Sequence, residues 1–550
     1  MKSPWWKKTS IYQIYPWSFC DSNGDGIGDL QGIISHLDDL QELGVETIWF
    51  SPFYLSPGRD YGYDISDYLS IDPRFGTKAD FDRLVKEIHK RKMKIVLDMV
   101  MNHTSDEHLW FQTSKSSRKN PKRDFYIWKE GQGKRPPNNW KSMVGGSGWQ
   151  YDAHTNEYYY TNFLPFQPDL NYRNPEVKKQ MFAVLDHWLK QKVDGFRLDI
   201  FNSIFKDELY RDNPKSARFF PSPDNHDEAF FQKKTFNLNL PESFQFAKEV
   251  RKRLSRYAHE PFLIGEVSGS DTVLKSFLGE RSDGLHLVFQ FELIHFQWKA
   301  SFFRNILQKN EQVFPSPYMP VYVYGNHDQR RYIDRIQGNP EKAKVLSTLQ
   351  FFARGIPVIY YGEEIARKEG RISNWSGQDP IAKRNSFVPL WLSNLLGIYI
   401  NRDNCRLPML WDNSKNAGFS KGTPWLPLGT FRPEDTVEVQ KNTKGSLWQH
   451  YQILFRLRKL NRVFTEGSLS IEQERHPNVL VFERKLGKER VFVLLSFSDS
   501  PIEEKWKVSA EVLHSFGAVE KSNDSVRILG IGGIVWKHRE IVSKPKPKFS

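Results

Sequence analysis

Five short apolar segments of this chain end in acids or in Asn-His pairs. Arg197 and Asp199 stand two apart in Gly195-Phe196-Arg197-Leu198-Asp199-Ile200, and Glu266 follows Phe262-Leu263-Ile264-Gly265. Asp328 follows Asn326-His327 at the end of Val321–Gly325, Met93–Val100 runs into Asn102-His103, and Ile356–Tyr361 runs into Glu363-Glu364. Two carboxyls in different surroundings are the minimum for splitting a glycosidic bond, one ionised to attack and one protonated to donate. Asp199, beside the Arg197 charge, is expected to be ionised and low in pKa, as a nucleophile needs. Glu266 has apolar neighbours and no adjacent cation, so desolvation is expected to raise it into the range of a general acid. A strand-end ion pair would explain Arg197 and Asp199 alone, but not five such ends. Metal ligation by Asp98, His103, His327 and Asp328 is the rival reading. No HExxH or His-x-His spacing supports it, and it leaves the arginine unexplained. The Asn-His pairs suit hydrogen bonding to a polyhydroxylated ligand.

These groups need rigid strands to hold them. In Gly195–Ile200 the apolar residues alternate with Arg197 and Asp199, so period two puts the charged pair on one face. Strands are predicted over Ser10–Phe19, Val45–Pro52, Met93–Val100, Val193–Ile200, Phe262–Val267, Leu285–Leu293, Val321–Gly325 and Ile356–Tyr361. Helices are predicted between them, including Ile33–Leu43, Phe81–Arg91 and Lys179–Gln191. Eight strand–helix units describe an α/β fold, a (β/α)8 barrel whose active site lies at the C-terminal strand ends. The rhythm breaks after His103, and alternating strands (Val479–Arg484, Arg490–Phe497, one near Val535) follow a helix at Leu447–Leu460. The expected division is a barrel over residues 1–103 and 171–462, an inserted subdomain over 104–170, and a C-terminal antiparallel, β-sandwich-like domain over 463–550 that ends in a disordered basic tail.

Composition narrows the setting. The net charge of +14 raises nucleic acid as a partner. The excess is diffuse, however, and 17 Trp better suit stacking on sugar rings, so no nucleic acid is expected. No 18-residue apolar run and no signal-like N-terminus are present, so neither membrane association nor secretion is expected. Two cysteines, Cys20 and Cys405, cannot form a disulfide framework, which fits a reducing cytoplasm; a monomer is expected. The loop Asp21-Ser22-Asn23-Gly24-Asp25-Gly26-Ile27-Gly28-Asp29 carries oxygen donors at alternate positions. It matches an EF-hand loop from its first aspartate through a carbonyl at Ile27 to Asp29, but has Gly32 where the final glutamate belongs. A structural Ca²⁺ loop that is not an EF-hand is therefore expected, with an Asx-rich turn as the alternative. No organic cofactor is implied.

Read in order, Asp98-Met99-Val100-Met101-Asn102-His103, Gly195–Asp199, Glu266 and Asn326-His327-Asp328 resemble the motifs of glycoside hydrolase family 13, the α-amylase superfamily, over about residues 5–460. Ile11–Phe19 with its following loop, Gln167-Pro168-Asp169-Leu170-Asn171 and Arg402–Trp411 are similar to the oligo-1,6-glucosidase and α-glucosidase group. The resemblance implies a retaining, exo-acting enzyme for short oligosaccharides, with Asp199 as nucleophile, Glu266 as acid/base and Asp328 gripping the first sugar. It implies that Arg197, His103 and His327 bind that sugar's hydroxyls, that Tyr63 and Phe163 lie beside it, and that Gln167 joins the substrate-binding set. Asp60 and Arg402 would pair at the pocket floor, and Asp21, Asn23, Asp25, Ile27 and Asp29 would hold Ca²⁺. In that group a β-branched residue after the nucleophile goes with α-1,6 substrates and Ala with α-1,4, so Ile200 points to isomaltose-type substrates. The sequence departs from the group at Leu407 and Leu410, where Thr and Gln are usual, and at Ile200-Phe201-Asn202. An α-1,4-specific enzyme, and a transglucosidase or sucrose isomerase using the same site, therefore stay open. A non-catalytic transporter subunit is set aside, because all three acids are present and no membrane span is.

Overall fold

A computed structural model of the chain describes residues 3–219, 227–395, 398–507, 510–522 and 525–538. The basic tail at Lys544–Lys548 lies outside the described residues. Eight parallel strands form the central sheet: Ile11–Ile14 (β1), Thr47–Phe50 (β2), Lys94–Val100 (β3), Gly195–Asp199 (β4), Phe262–Gly265 (β5), Leu287–Val288 (β6), Val321–Val323 (β7) and Ile356–Tyr360 (β8). Their order is β6-β5-β4-β3-β2-β1-β8-β7. At the seam between β6 and β7, the Gln290 side-chain carbonyl accepts from Val321 N at 3.1 Å. The sheet is thus a nearly closed (β/α)8 barrel.

Alternation sorts the strand residues. Ile11, Trp49, Val96, Ile264, Leu287, Val321, Val323, Ile356 and Val358 pack together as the barrel's inner core. Tyr12, Ile48, Ile95, Leu97, Phe196 and Leu198 join the larger core shared with the surrounding helices. Arg197 and Asp199 take the opposite face of β4 from Phe196 and Leu198, as period two requires.

Capping residues set the helix starts. The helix expected from Phe81 begins at Lys78, because Thr77 and Asp80 form a capping box. The helix expected from Lys179 begins at Pro175, behind an Asn174 cap. The predicted Ile33–Leu43 helix is two, Leu30–Ser35 and Leu37–Leu43, joined at His36, and the first is capped by Asp29. The first and sixth strands are shorter than predicted because one-turn helices take over at Pro16–Ser18 and Phe291–His295.

The segment after β3 carries a three-stranded antiparallel sheet, Trp128–Lys129, Glu157–Tyr160 and Trp149–Asp152. Its core is Ile127, Trp140, Trp149, Tyr158 and Tyr160, and Tyr210 and Phe236 from the β4–β5 connection pack on it. Trp140 Nε1 donates to Arg211 O at 2.8 Å, and Asn139 Nδ2 donates to Asn213 O at 2.9 Å. A six-stranded antiparallel sheet from Ser468 to His538 closes the chain. Three of its strands, Ser468–Ile471, Ile502–Lys507 and Ala510–Lys521, were not anticipated. Among the described residues no helix is long and apolar enough to cross a membrane.

Candidate active site

The centre of the site is one guanidinium. Arg197, on β4, is fully buried. Its Nη1 donates to Asp199 Oδ1 at 2.6 Å and to Asp98 Oδ1 at 2.9 Å, and its Nη2 donates to Glu266 Oε2 at 2.6 Å. β4 and β5 are neighbours in register, with Arg197 opposite Ile264, so the end of β5 lies within the arginine's reach. Main-chain bonds from Glu266 N to Leu198 O and from Phe201 N to Glu266 O, both 2.9 Å, fix the acid's backbone. Ile200 N donates to Glu266 Oε2 at 3.1 Å.

Two electrostatic expectations need correction. Asp199 is not held low. Burial pushes it up to about 6, against the pull of Arg197, because Asp98 draws on the same Nη1. Asp98 is itself pushed up to about 6 by burial. Glu266 does have a cation beside it, yet burial with the nearby Asp199 and Asp328 outweighs Arg197 and raises it to about 8. The order of the two acids is as the sequence suggests, but its cause is burial against one shared cation.

Asp328 is the opposite case. Burial works against its charge, but His327, Arg402, Arg406 and Arg197 together hold it well below the usual carboxylate range. Arg402 Nη1 and Arg406 Nη2 donate to its Oδ1 at 3.1 and 2.9 Å. His327 is pushed down to about 3 by burial and stays neutral, so the arginines supply the positive charge at neutral pH. Arg402 Nη2 also donates to Asp60 Oδ1 at 2.7 Å, and Gln167 Nε2 donates to Asp60 Oδ2 at 2.9 Å. Tyr63 OH donates to Asp98 Oδ2 at 3.0 Å, and the Tyr63 ring stacks on His327 at 5.2 Å. His103 is buried with Nε2 unpartnered, its ring 5.7 Å from that of Phe163. The arrangement therefore gathers every carboxylate, imidazole and aromatic side chain singled out for substrate in the sequence. It adds Asp98, Asp379, Arg406 and Gln13, which were not placed in the site.

Their signals were faint. Asp379 precedes Pro380 and caps the helix Pro380–Arg384, while its carboxylate takes Arg402 N and Nη2, both at 2.8 Å. Gln13 alternates with Tyr12 and Ile14 and so faces the barrel interior. Beyond the two acids, Ile200, Asn202, Ser268, Phe291 and Gln329 line a small cavity with Glu266 and Asp328. Ile200 has φ 34° and ψ 48°, a left-handed conformation that costs a β-branched residue of order 1–3 kcal/mol.

The Asp21–Asp29 loop lies apart from this chemistry. Asp21 accepts from Asn23 N, Gly24 N and Gly26 N, Asn23 Oδ1 from Asp25 N, and Asp25 Oδ1 from Ile27 N. Successive Asx turns thus hold its oxygens in fixed orientations. Asp29 accepts from Ser22 and caps a helix through Gly32 N. Among the described residues no three His, Cys, Asp or Glu side chains gather into a metal group. The loop instead offers carboxylates, an amide and a main-chain carbonyl, a hard oxygen set that fits Ca²⁺.

Comparison with known proteins agrees with this geometry. Residues 13–467 match the family model described as alpha amylase, catalytic domain. The chain is 37% identical over 528 residues to an oligo-1,6-glucosidase of Parageobacillus thermoglucosidasius, covering 91% of each chain. An α-glucosyl transfer enzyme of known crystal structure superposes with TM-score 0.88 at 35% identity, covering 98% of this chain and all of that one. The isomaltulose synthase of Protaminobacter rubrum superposes with TM-score 0.87 at 32% identity, with the same coverage.

Proposed function

This chain belongs to the α-amylase family, glycoside hydrolase family 13, and from that premise we propose a retaining, exo-acting α-glucosidase that releases glucose from short α-glucosides, chiefly of the isomaltose type. The observation that carries the reading is the sharing of Arg197 between Asp199 and Glu266. Carboxyls at the two ends of one guanidinium suit the ~5–5.5 Å separation of covalent retention better than the wider gap that admits a water. Glu266 holds its proton at neutral pH and gives it to the glycosidic oxygen. Asp199, largely ionised there, attacks the anomeric carbon and forms a glycosyl–enzyme ester. Glu266, now a carboxylate, takes a proton from water, which displaces Asp199 and returns the α anomer.

Asp328, kept ionised by its two arginines, grips the hydroxyls of the first sugar together with His327 and the unpartnered Nε2 of His103. Phe163 and Tyr63 flank that sugar. Asp60, tied to Arg402 and Gln167, closes the pocket and accepts from the non-reducing-end hydroxyl, which makes cleavage exo. The place of Ile200 in the lining of the cavity beside Glu266 and Asp328, where its bulk would crowd an aglycone, supports the α-1,6 preference. The loop holds Ca²⁺ through Asp21, Asn23, Asp25, the Ile27 carbonyl and Asp29, and the ion would supply rigidity. The buried free thiols of Cys20 and Cys405, both pushed up to about 12 by burial, support a reducing, cytoplasmic setting.

A second reading passes the glucosyl group to a sugar instead of water. It draws support from the likeness to the glucosyl transfer enzyme and the isomaltulose synthase. Product analysis by NMR on isomaltose, maltose, sucrose and trehalose tests both. α-Glucose as the first product of isomaltose is expected. β-Glucose overturns retention, and new disaccharides from sucrose as the main product favour transfer.

A further inference from the structure

We propose that Gln13 is a positioning residue that fixes which ring nitrogen of His327 carries the proton. His327 is buried inside the barrel mouth between two different surroundings. Its Nε2 lies 2.6 Å from Tyr63 OH and 3.2 Å from Asp328 Oδ2. Its Nδ1 lies 2.9 Å from Gln13 Nε2. Burial keeps the ring neutral, so it has one N–H to place.

The Nε2 side claims that proton. Asp328 is an ionised carboxylate and can only accept. The Tyr63 hydroxyl spends its own proton on Asp98 Oδ2 at 3.0 Å, so toward His327 it also accepts. A bare Nε2 would set a lone pair against a carboxylate oxygen. The proton therefore sits on Nε2, and Nδ1 is left as an acceptor that needs a donor. Gln13 supplies it. Its second amide hydrogen goes to Ser51 Oγ at 3.1 Å, and Ser51 is itself fixed by a main-chain bond from its N to Ile14 O at 3.0 Å.

Gln13 as a simple polar filler could turn its amide round. Its carbonyl would then face Ser51 and Nδ1, and two amide hydrogens would be buried where the present orientation leaves only Oε1 without a partner. It would also draw the proton to Nδ1 and undo the contact with Asp328. The chain Gln13–His327–Tyr63–Asp98–Arg197 thus runs from β1 to the guanidinium that both acids share. The consequence for turnover rests on the reading of Asp328 and His327 as the grip on the first sugar.

Neutron diffraction from crystals of the full chain at pH 7 tests the tautomer directly. Deuterium on His327 Nε2, with Nδ1 bare, is expected. Deuterium on Nδ1 alone overturns the proposal, and this measurement needs no variant and no substrate. In Gln13→Glu a carboxylate replaces the donor at Nδ1, so deuterium is expected on both nitrogens. An unchanged ring with Nδ1 bare overturns the proposal. Gln13→Leu is expected to lower kcat/KM on isomaltose about 10- to 100-fold, as for other partners that orient an imidazole, and a wild-type value in a folded variant overturns the positioning role. Failure to hydrolyse isomaltose, maltose, sucrose or trehalose with Nε2 deuterated in the wild type would sink the glucosidase reading and leave the tautomer assignment standing.

Discussion

Arg197 Nη2 lies 2.6 Å from Glu266 Oε2, so the group raised to about 8 keeps its proton in direct contact with a cation. That contact persists because the same arginine is divided among three carboxyls, and its other nitrogen already serves Asp98 and Asp199. One buried positive charge cannot ionise three buried acids, and the shortfall is stored as a proton on Glu266.

The pH dependence of kcat/KM follows. Asp199 at about 6 protonates as pH falls and loses its nucleophilicity. Glu266 at about 8 deprotonates as pH rises and can no longer act as acid. A bell with limbs near pH 6 and 8 is expected for isomaltose hydrolysis, reporting the pair rather than either residue alone. A rate still climbing between pH 7 and 9.5 contradicts the assignment of Glu266.

The same raised value makes a stability prediction. An acid whose folded pKa exceeds its unfolded one stabilises the fold fully below the unfolded value, here 4.5, and that contribution disappears as pH rises through 8. Glu266→Gln cannot ionise. Its Tm should therefore gain on the wild type as pH goes from 6 to 9, while kcat on isomaltose falls by at least about 100-fold. A Tm difference that is flat with pH would show that Glu266 carries no buried proton.

Asp199→Asn should remove the covalent step and cut kcat by about 10⁴-fold or more. The fold should survive, because the substitution relieves the competition with Asp98 for Arg197 Nη1. Circular dichroism and Tm check the fold, and retention of a tenth of the activity would place the nucleophile elsewhere.

Ile200 combines a strained backbone with a place in the small cavity beside Glu266 and Asp328, proposed above to take the aglycone. Ile200→Ala should shift the kcat/KM ratio of isomaltose to maltose toward maltose, by about 10- to 200-fold if the removed bulk sets the linkage. A wild type that prefers maltose, or a ratio unmoved by the substitution, removes Ile200 from that role.

Chelation addresses the Asp21–Asp29 loop. EDTA should lower Tm by several degrees while the rate at 25 °C holds, since an ion bound at 100 times its Kd stabilises the native state by about 2.7 kcal/mol. Asp25→Ala should make Tm insensitive to EDTA. An unchanged melting curve in the wild type would leave the loop as a run of Asx turns.

Much of this site was legible in short stretches. Alternation in Gly195–Ile200 was enough to turn Arg197 and Asp199 inward, and the breaks after each apolar run located His103, Glu266 and Asp328. The charge balance was not legible, because it depends on Asp98 meeting Arg197 across 99 positions and on Glu266 lying at the end of the neighbouring strand. Gln13, Asp379 and Arg406 escaped for a related reason. Each is a buried polar residue whose partner is remote, Arg406 reaching Asp328 over 78 positions. The brevity of β6 was likewise invisible, since the apolar residues of Leu285–Leu293 run on past Val288 to Phe289, Phe291 and Leu293, and only the tertiary fold divides the segment into strand and turn.

The aromatic core around Trp140 and Trp149 is completed by Tyr210 and Phe236 from a different loop of the barrel. The two excursions are therefore expected to melt and fold as one cooperative block. For anyone building chimeras in this family, the unit of exchange is the pair of loops. Grafting the first without the second would strip Tyr210 from Trp140 and leave Asn139 Nδ2 without Asn213 O, so the pocket wall that carries Phe163 and Gln167 would arrive without its buttress.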